Sequence, residues 1–157
     1  MAESEIILGV ISDTHGLLRS QALAALAGSQ IIIHAGDVGT PEVIDRLRAV
    51  APTFVVRGNI DTASWAMHLP STQAVAVGAL RFFVLHDIAD LKLDPAAAGF
   101  AAVVFGHSHR PSTEMRSGVL FLNPGSAGPR RFTLPVTVAR VRIRGERMQP
   151  EIVELRV

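Results

Sequence analysis

The sequence predicts an α/β protein: two packed sheets with helices on the outside. Three observations carry that expectation. The first 60 residues alternate strand, helix, strand, helix, strand, an order that demands parallel strands joined by right-handed crossovers. The remainder is richer in hairpin signals. Several predicted strands also stop at a glycine or polar cluster, and in open α/β sheets ligands sit outside the carboxyl ends of the strands.

Ile6 to Ser12 is a continuous apolar run ending at Asp13, the pattern of a strand buried on both faces. Leu17 to Leu26 is rich in Ala and Leu at helical spacing, and Gly28 follows as a stop signal. Gln30 to Ala35 reads as a second buried strand ending at Gly36-Asp37. Thr40-Pro41-Glu42 has the form of an N-cap followed by proline at the first helical position, and Val43, Ile44, Leu47 and Val50 continue that helix on one face. Thr53 to Val56 is a third strand, ending at Arg57-Gly58-Asn59. Further on, Gln73 to Val77 and Leu80 to Leu85 flank Gly78-Ala79, a two-residue hairpin turn with glycine first. Ala101 to Phe105 ends at Gly106-His107, and Val119 to Leu122 ends at Asn123-Pro124-Gly125. Val136 to Ile143 alternates, with Arg140, Arg142 and Arg144 on one face, and Glu151 to Val157 is expected to close a sheet. With no internal repeat, low-complexity tract or linker, residues 1–157 read as one domain.

Bulk properties narrow the class. A chain of 157 residues buries roughly 70% of its unfolded surface and needs no staples. It has no cysteine, which excludes disulfides and thiolate metal sites. A net charge of +1 gives no strong global pull toward nucleic acid or anionic membrane. Met1 to Ser4 supply neither the basic start nor the longer apolar core of a secretory signal, and no run approaches the roughly 20 apolar residues of a membrane span. The expectation is a soluble cytoplasmic protein.

Five segments after predicted strands hold the chemistry: Asp13-Thr14-His15, Gly36-Asp37, Gly58-Asn59, His86-Asp87 and Gly106-His107-Ser108-His109. Their carboxylate, carboxamide and imidazole donors suit Mn, Fe, Zn, Ni or Co rather than soft copper(I). Asp13 and His15 can converge on one ion if the chain turns after the strand; His107 and His109 can do the same or straddle two. A phosphate ester is anionic and repels hydroxide. Two divalent ions sharing a carboxylate would neutralise that charge, orient the phosphorus and lower the pKa of a water.

The ordered set D-x-H, G-D, G-N, H and G-H-x-H resembles the calcineurin-like metallophosphoesterase superfamily. The short length and the later Asn123-Pro124-Gly125-Ser126 are similar to its small bacterial and archaeal phosphodiesterase branch. The resemblance runs from residue 13 to residue 126. It implies a four-layer α/β/β/α sandwich of two mixed sheets and a cofactor of two divalent metal ions, manganese first among Mn, Ni, Zn, Fe and Co. By motif matching, Asp13, His15, Asp37 and His109 would hold one ion, and Asp37, Asn59, His86 and His107 the other, with Asp37 bridging. Asp37, Asn59 and His107 would serve catalysis with an activated water. Family members often carry a histidine directly after the asparagine as a general acid; here Ile60 stands there, followed by Asp61, so the general acid is open. The family's glycine after the His86 position is replaced by Asp87, an extra carboxylate placed either to repel an anionic substrate or to support a metal ligand.

Other residues carry blander expectations. His34 is expected to point away from the ions as a structural or supporting residue, His68 to lie on the surface, and Trp65 to pack. Asn123 to Ser126 either shape the site or form a plain turn. Arg110, Arg130 and Arg131 are either phosphate contacts or solvated charge, and the Arg140, Arg142, Arg144 row is the wet face of a strand. The leading function is hydrolysis of small phosphodiesters, with monoesters a further substrate class. The alternatives are a nuclease acting on single-stranded nucleic acid, supported only by the arginines, and a binding scaffold resembling the metallophosphoesterase-like subunit of the retromer coat. With no length for a cap domain, the site is expected to be open or closed by a partner subunit in a homodimer or higher homo-oligomer.

Overall fold

The computed structural model describes residues 4–157. Ten strands form two five-stranded mixed sheets. The first sheet is ordered β10-β9-β1-β2-β3 and the second β4-β5-β6-β8-β7. In chain order the strands are β1 (Glu5–Ile11), β2 (Ile31–His34), β3 (Thr53–Val55), β4 (Thr72–Val77), β5 (Leu80–Leu85), β6 (Ala102–Val104), β7 (Ser112–Arg116), β8 (Val119–Asn123), β9 (Thr137–Arg144) and β10 (Arg147–Glu154). Helices α1 (Ser20–Leu26) and α2 (Pro41–Arg48) are the two crossovers of the first sheet.

Three apolar layers hold these elements. Leu8, Val10 and Ile33 of the first sheet face Phe82, Val84, Val104 and Leu122 of the second, filling the space between the sheets. Ile11, Ile32, Val55 and Val138, on the opposite face of the first sheet, pack against Ala22 and Leu26 of α1 and Val43 and Leu47 of α2. On the outer face of the second sheet, Leu85, Val103 and Phe121 meet Ile88 and Leu91. The fold class is the expected one, but the layer over the second sheet is thin: a single 3₁₀ turn, Ile88–Asp90, with its flanking loop. With only Ile88 and Leu91 of that segment packed into this cluster, there is too little apolar surface to dock a helix.

Each sheet contains a parallel trio. β1, β2 and β3 run parallel in the first, and β5, β6 and β8 run parallel in the second. The second trio departs from the hairpin-rich expectation, which extends only to the β4–β5, β7–β8 and β9–β10 pairs. α1 starts at Ser20 rather than Leu17, because the chain from Thr14 to Gly16 is bound to the neighbouring loop, with His15 N–H and Gly16 N–H donating to Asp37 and Val38 carbonyls. β10 begins four residues earlier than expected and ends at Glu154, since Gly145 at φ +56° makes a tight turn directly after β9. β7 had no signal: Ser112 to Arg116 is polar and exposed throughout, and only its ladder to β8 makes it a strand. No helix among the described residues is long and apolar enough to cross a membrane.

Candidate metal centre

The two parallel trios deliver the predicted residues to one place. Asp13, Asp37 and Asn59 follow β1, β2 and β3; His86 and His107 follow β5 and β6. With the sheets packed face to face, these strand ends meet at one edge of the sandwich.

Asp13, His15, His86 and His109 converge tightly. Asp13 Oδ1 lies 3.3 Å from His109 Nε2 and 3.8 Å from both His15 Nε2 and His86 Nε2. Asp37 Oδ2 lies 3.3 Å from His86 Nε2 and 3.5 Å from His15 Nε2. Each carboxylate divides its work. Asp13 Oδ2 accepts from Ser12 Oγ at 2.6 Å and from His107 N–H at 3.1 Å, and Asp37 Oδ1 accepts from Ile60 N–H at 3.1 Å. The other oxygen of each is left facing the histidines. Both carboxylates stand between the His15 side and the His86 side, so the geometry gives Asp13 as much reach across the cluster as Asp37.

Asn59 and His107 close the second side. In the metal-free chain the Asn59 amide nitrogen turns inward and meets His86 Nε2 at 3.0 Å, His107 Nδ1 at 3.2 Å and both Asp37 carboxylate oxygens at 3.3 Å; the opposite rotamer of the same amide aims its oxygen at these atoms, the orientation a metal ion would require. His86 donates its Nδ1–H to the Ala35 carbonyl at 2.7 Å, which leaves Nε2 as the lone-pair nitrogen facing the cluster. His107 is the outlier in burial: its side chain is 47% exposed, against 4–17% for the three other histidines.

Whether these donors fit a metal can be tested on the chain itself. Asp13 Oδ1 and His15 Nε2 are buried with no hydrogen-bond partner, an arrangement that costs free energy unless something satisfies both. Asp13, His15 and His109 place their ligand atoms within 4.8 Å of one another, as do Asp13, Asp37 and His86. An oxygen and nitrogen set of this kind is what borderline divalent ions take. The donors fit.

The backbone says the same. Asp13, His15, Asp37, His107 and His109 all have positive φ, between 48° and 71°. Non-glycine residues adopt this region at a cost of about 1 kcal/mol or more each, and such strain clusters where a site over-determines the conformation. The only other non-glycine residues so placed among those described are Ser117 and Phe132. Two glycines let the ligand loops pack this closely. A Cβ on Gly58 would strike the Asp37 backbone nitrogen and carboxylate, and one on Gly106 would strike Ser12 Oγ and the Asp13 carboxylate.

Electrostatics follow from the crowding. Burial pushes the Asp13 carboxyl up, but His15, Ser12 and the charges of His86 and His109 outweigh it and hold it below the ordinary carboxylate range. Asp37 is held down in the same way, chiefly by His86 and the Ile60 N–H. Burial works against a charged His86, yet Asp37 beside it and the charge of Asp13 raise it above the ordinary histidine value. His109 is lowered by burial first, with the positive charge of Arg131 adding to it.

Three supporting residues stand behind the candidate ligands. Asp61 is buried and accepts from the backbone N–H groups of Val38 and Gly39 at 3.1 Å and of Gly58 at 2.9 Å, clamping the Asp37 and Asn59 loops together. In sequence it is only an acidic residue two positions after the asparagine; its role comes from contacts across the sheet. Asn123 donates to the Gly106 carbonyl and to Ser108 Oγ, both at 3.1 Å, and Ser126 Oγ donates to the Asp13 carbonyl at 3.0 Å. The Asn-Pro-Gly-Ser stretch thus shapes the site through its side chains. His34 does point away from the cluster. Thr14 Oγ1–H donates to the Val38 carbonyl at 2.8 Å, so His34 Nε2–H donates to Thr14 Oγ1 at 3.0 Å, and His34 Nδ1 accepts from Gly36 N–H at 3.0 Å.

Ile60 supplies only its backbone N–H, its side chain being 41% exposed. His68 is exposed and Trp65 packs against the helical layer. Arg110, Arg130 and Arg131 are exposed. In the arginine row, Arg142 and Arg144 are exposed while Arg140 is half-buried, donating to the Ala25 carbonyl at 3.2 Å. A groove of about 470 Å³ opens beside Asn59, His86 and His107, and Arg57, Thr72 and Lys92 also line it.

Residues 6–146 match the model of the calcineurin-like phosphoesterase superfamily domain. A probable metallophosphoesterase of Methanothermobacter thermautotrophicus is 29% identical over 94% of this chain and 92% of its own length. The phosphodiesterase YfcE of Escherichia coli (strain K12) is 33% identical over 73% of this chain and 76% of its own. Among solved structures, an archaeal phosphodiesterase superposes with a TM-score of 0.79 at 21% identity, over 94% of this chain and all of that one. Vps29 of Chaetomium thermophilum superposes with a TM-score of 0.77 at 20% identity, over 94% and 97%; at these identities the two superpositions speak for the fold alone. With its strand-end cluster of Asp and His donors and its small sandwich fold, this chain belongs to the calcineurin-like phosphoesterase superfamily, in its small bacterial and archaeal branch.

Proposed function

We propose that the chain is a phosphodiesterase that hydrolyses small phosphodiesters, with monoesters a further substrate class, using two divalent metal ions, manganese first. Asp13, His15, Asp37 and His109 would hold one ion, and Asp37, Asn59, His86 and His107 the other. When bound, two such ions neutralise the phosphate and lower the pKa of a water that attacks it. The observation that carries this reading is the convergence of Asp13, His15, Asp37, His107 and His109 in strained left-handed conformations around two partnerless buried donor atoms. A scaffold would have no cause to keep that strain.

The chain's own residues set the rest. Asp13 and Asp37 stay ionised because their neighbours hold them below the ordinary carboxylate range. The groove beside His107 admits a small ester, with the Arg57 and Lys92 cations available to its anionic part. With Ile60 after the asparagine and no further histidine within the cluster, protonation of the leaving oxygen falls to solvent, so esters with weakly basic leaving groups turn over fastest. Hydrolysis of bis-nitrophenyl phosphate by protein loaded with Mn, Ni, Zn or Fe is the test. Turnover lost in Asp37→Asn and His107→Ala supports the reading, and no turnover with any of the four metals sinks it. Steeply salt-dependent binding and cleavage of single-stranded DNA would instead favour a nuclease.

A further inference from the structure

We propose that Asp87 is a positioning residue that fixes the ring of His107 with Nδ1 toward the cluster and its proton on Nε2. The inference rests on the reading of His107 as a metal ligand. The two nitrogens of this ring face different partners. Nδ1 lies 3.2 Å from the Asn59 amide; in the metal-free chain that amide faces the Asp37 carboxylate and His86 Nε2, all acceptors, so its nitrogen turns inward and donates an N–H to Nδ1. A nitrogen that accepts there carries no proton, so in the neutral ring the proton sits on Nε2. Nε2 lies 3.7 Å from Asp87 Oδ2, on the side away from Asn59. That separation is longer than a formed hydrogen bond; the proposed contact forms when the exposed His107 ring closes on Asp87 Oδ2.

Asp87 is itself held in place. Its Oδ1 accepts the Ala89 N–H at 3.0 Å, capping the 3₁₀ turn Ile88–Asp90, which leaves Oδ2 as the oxygen presented to His107. The need for such a partner is local. His107 is the most exposed of the four histidines, so packing does least to hold it. His86, edge-on to it at a ring separation of 5.2 Å, has its Nδ1–H fixed by the Ala35 carbonyl. His107 has no such carbonyl, and Asp87 stands where one would be needed. Carboxylates that accept the far proton of a ligating histidine fix its orientation and raise its basicity, and their loss costs about 10–100-fold in metal affinity.

The test separates Asp87 from the site as a whole. In metal-free protein at neutral pH, histidine nitrogen NMR is expected to show His107 as the Nε2–H tautomer in the wild type and as a mixture in Asp87→Ala. Titration calorimetry with Mn²⁺ is expected to show one of two binding steps weakened about 10–100-fold in Asp87→Ala, with much of the loss restored in Asp87→Asn, whose amide oxygen still accepts. Unchanged tautomer and unchanged Mn²⁺ affinity in Asp87→Ala would overturn the proposal. If His107→Ala also leaves Mn²⁺ affinity intact, the ligand assignment fails with it; if His107→Ala weakens binding and Asp87→Ala does not, Asp87 alone is wrong.

Discussion

Lowering the pH of metal-free protein should destabilise it through a residue outside the ligand set, His34. Its ring is fully buried, accepts from Gly36 N–H and donates to Thr14 Oγ1. Burial is the largest cause, and it pushes the imidazole down to about 4 from its ordinary 6.5. A depressed value in the folded state means that the unfolded chain takes up the proton first. The stability His34 lends is therefore complete above pH 6.5 and is lost as the pH falls toward 4. Integrated over that window the loss is about 3 kcal/mol, and by pH 5 it is already about 2 kcal/mol. Other groups titrate in the same range, so the informative quantity is a difference. His34→Gln cannot take up this proton. Urea unfolding of both proteins in EDTA, from pH 7.5 to pH 5, should show the wild-type advantage shrinking by about 2 kcal/mol. A difference that stays constant across that range would refute the account of His34 as a buried neutral brace.

Three further outcomes are expected. Gly58→Ala should fold but bind Mn²⁺ at least about tenfold more weakly by calorimetry, because the new methyl must displace the Asp37 backbone and carboxylate; wild-type affinity would show that the close approach is dispensable. Asp61→Ala strands three backbone N–H groups, so it should lose about 3 kcal/mol or more in urea unfolding and metal affinity with it; a loss under about 1 kcal/mol would mean that water replaces the clamp freely. Phe132, 94% exposed at φ +53°, makes the opposite case. Phe132→Gly should be neutral or stabilising by up to about 1 kcal/mol, since the relief of left-handed strain offsets the added chain entropy; marked destabilisation would reveal contacts that the ring does not display.

The chain announces much of this in one dimension. Apolar runs that stop at Asp13, Asp37 and Asn59 mark buried parallel strands and their functional ends, since a strand covered on both faces has no use for a carboxylate until it leaves the core. The seven proposed donors are legible for the same reason: each stands at the end of such a run or one turn beyond it. Folding decided the rest through contacts between residues far apart in sequence. β7 exists only because β8 lies beside it, and a polar segment cannot advertise that. The parallel pairing of β5, β6 and β8 is a matter of register between distant strands. Asp61 carries no signal of its own in sequence and Asn123 to Ser126 read equally as a turn; they are braces because the loops of the first sheet meet one another and those of the second. The left-handed backbones of the candidate ligands and the neighbours of the His107 ring are likewise set by tertiary contacts. The sequence by itself determined which chemistry the strand ends could hold, because side-chain identity sets that. Only the packed structure decided which oxygens were free to use it, because hydrogen-bond partners are assigned in three dimensions.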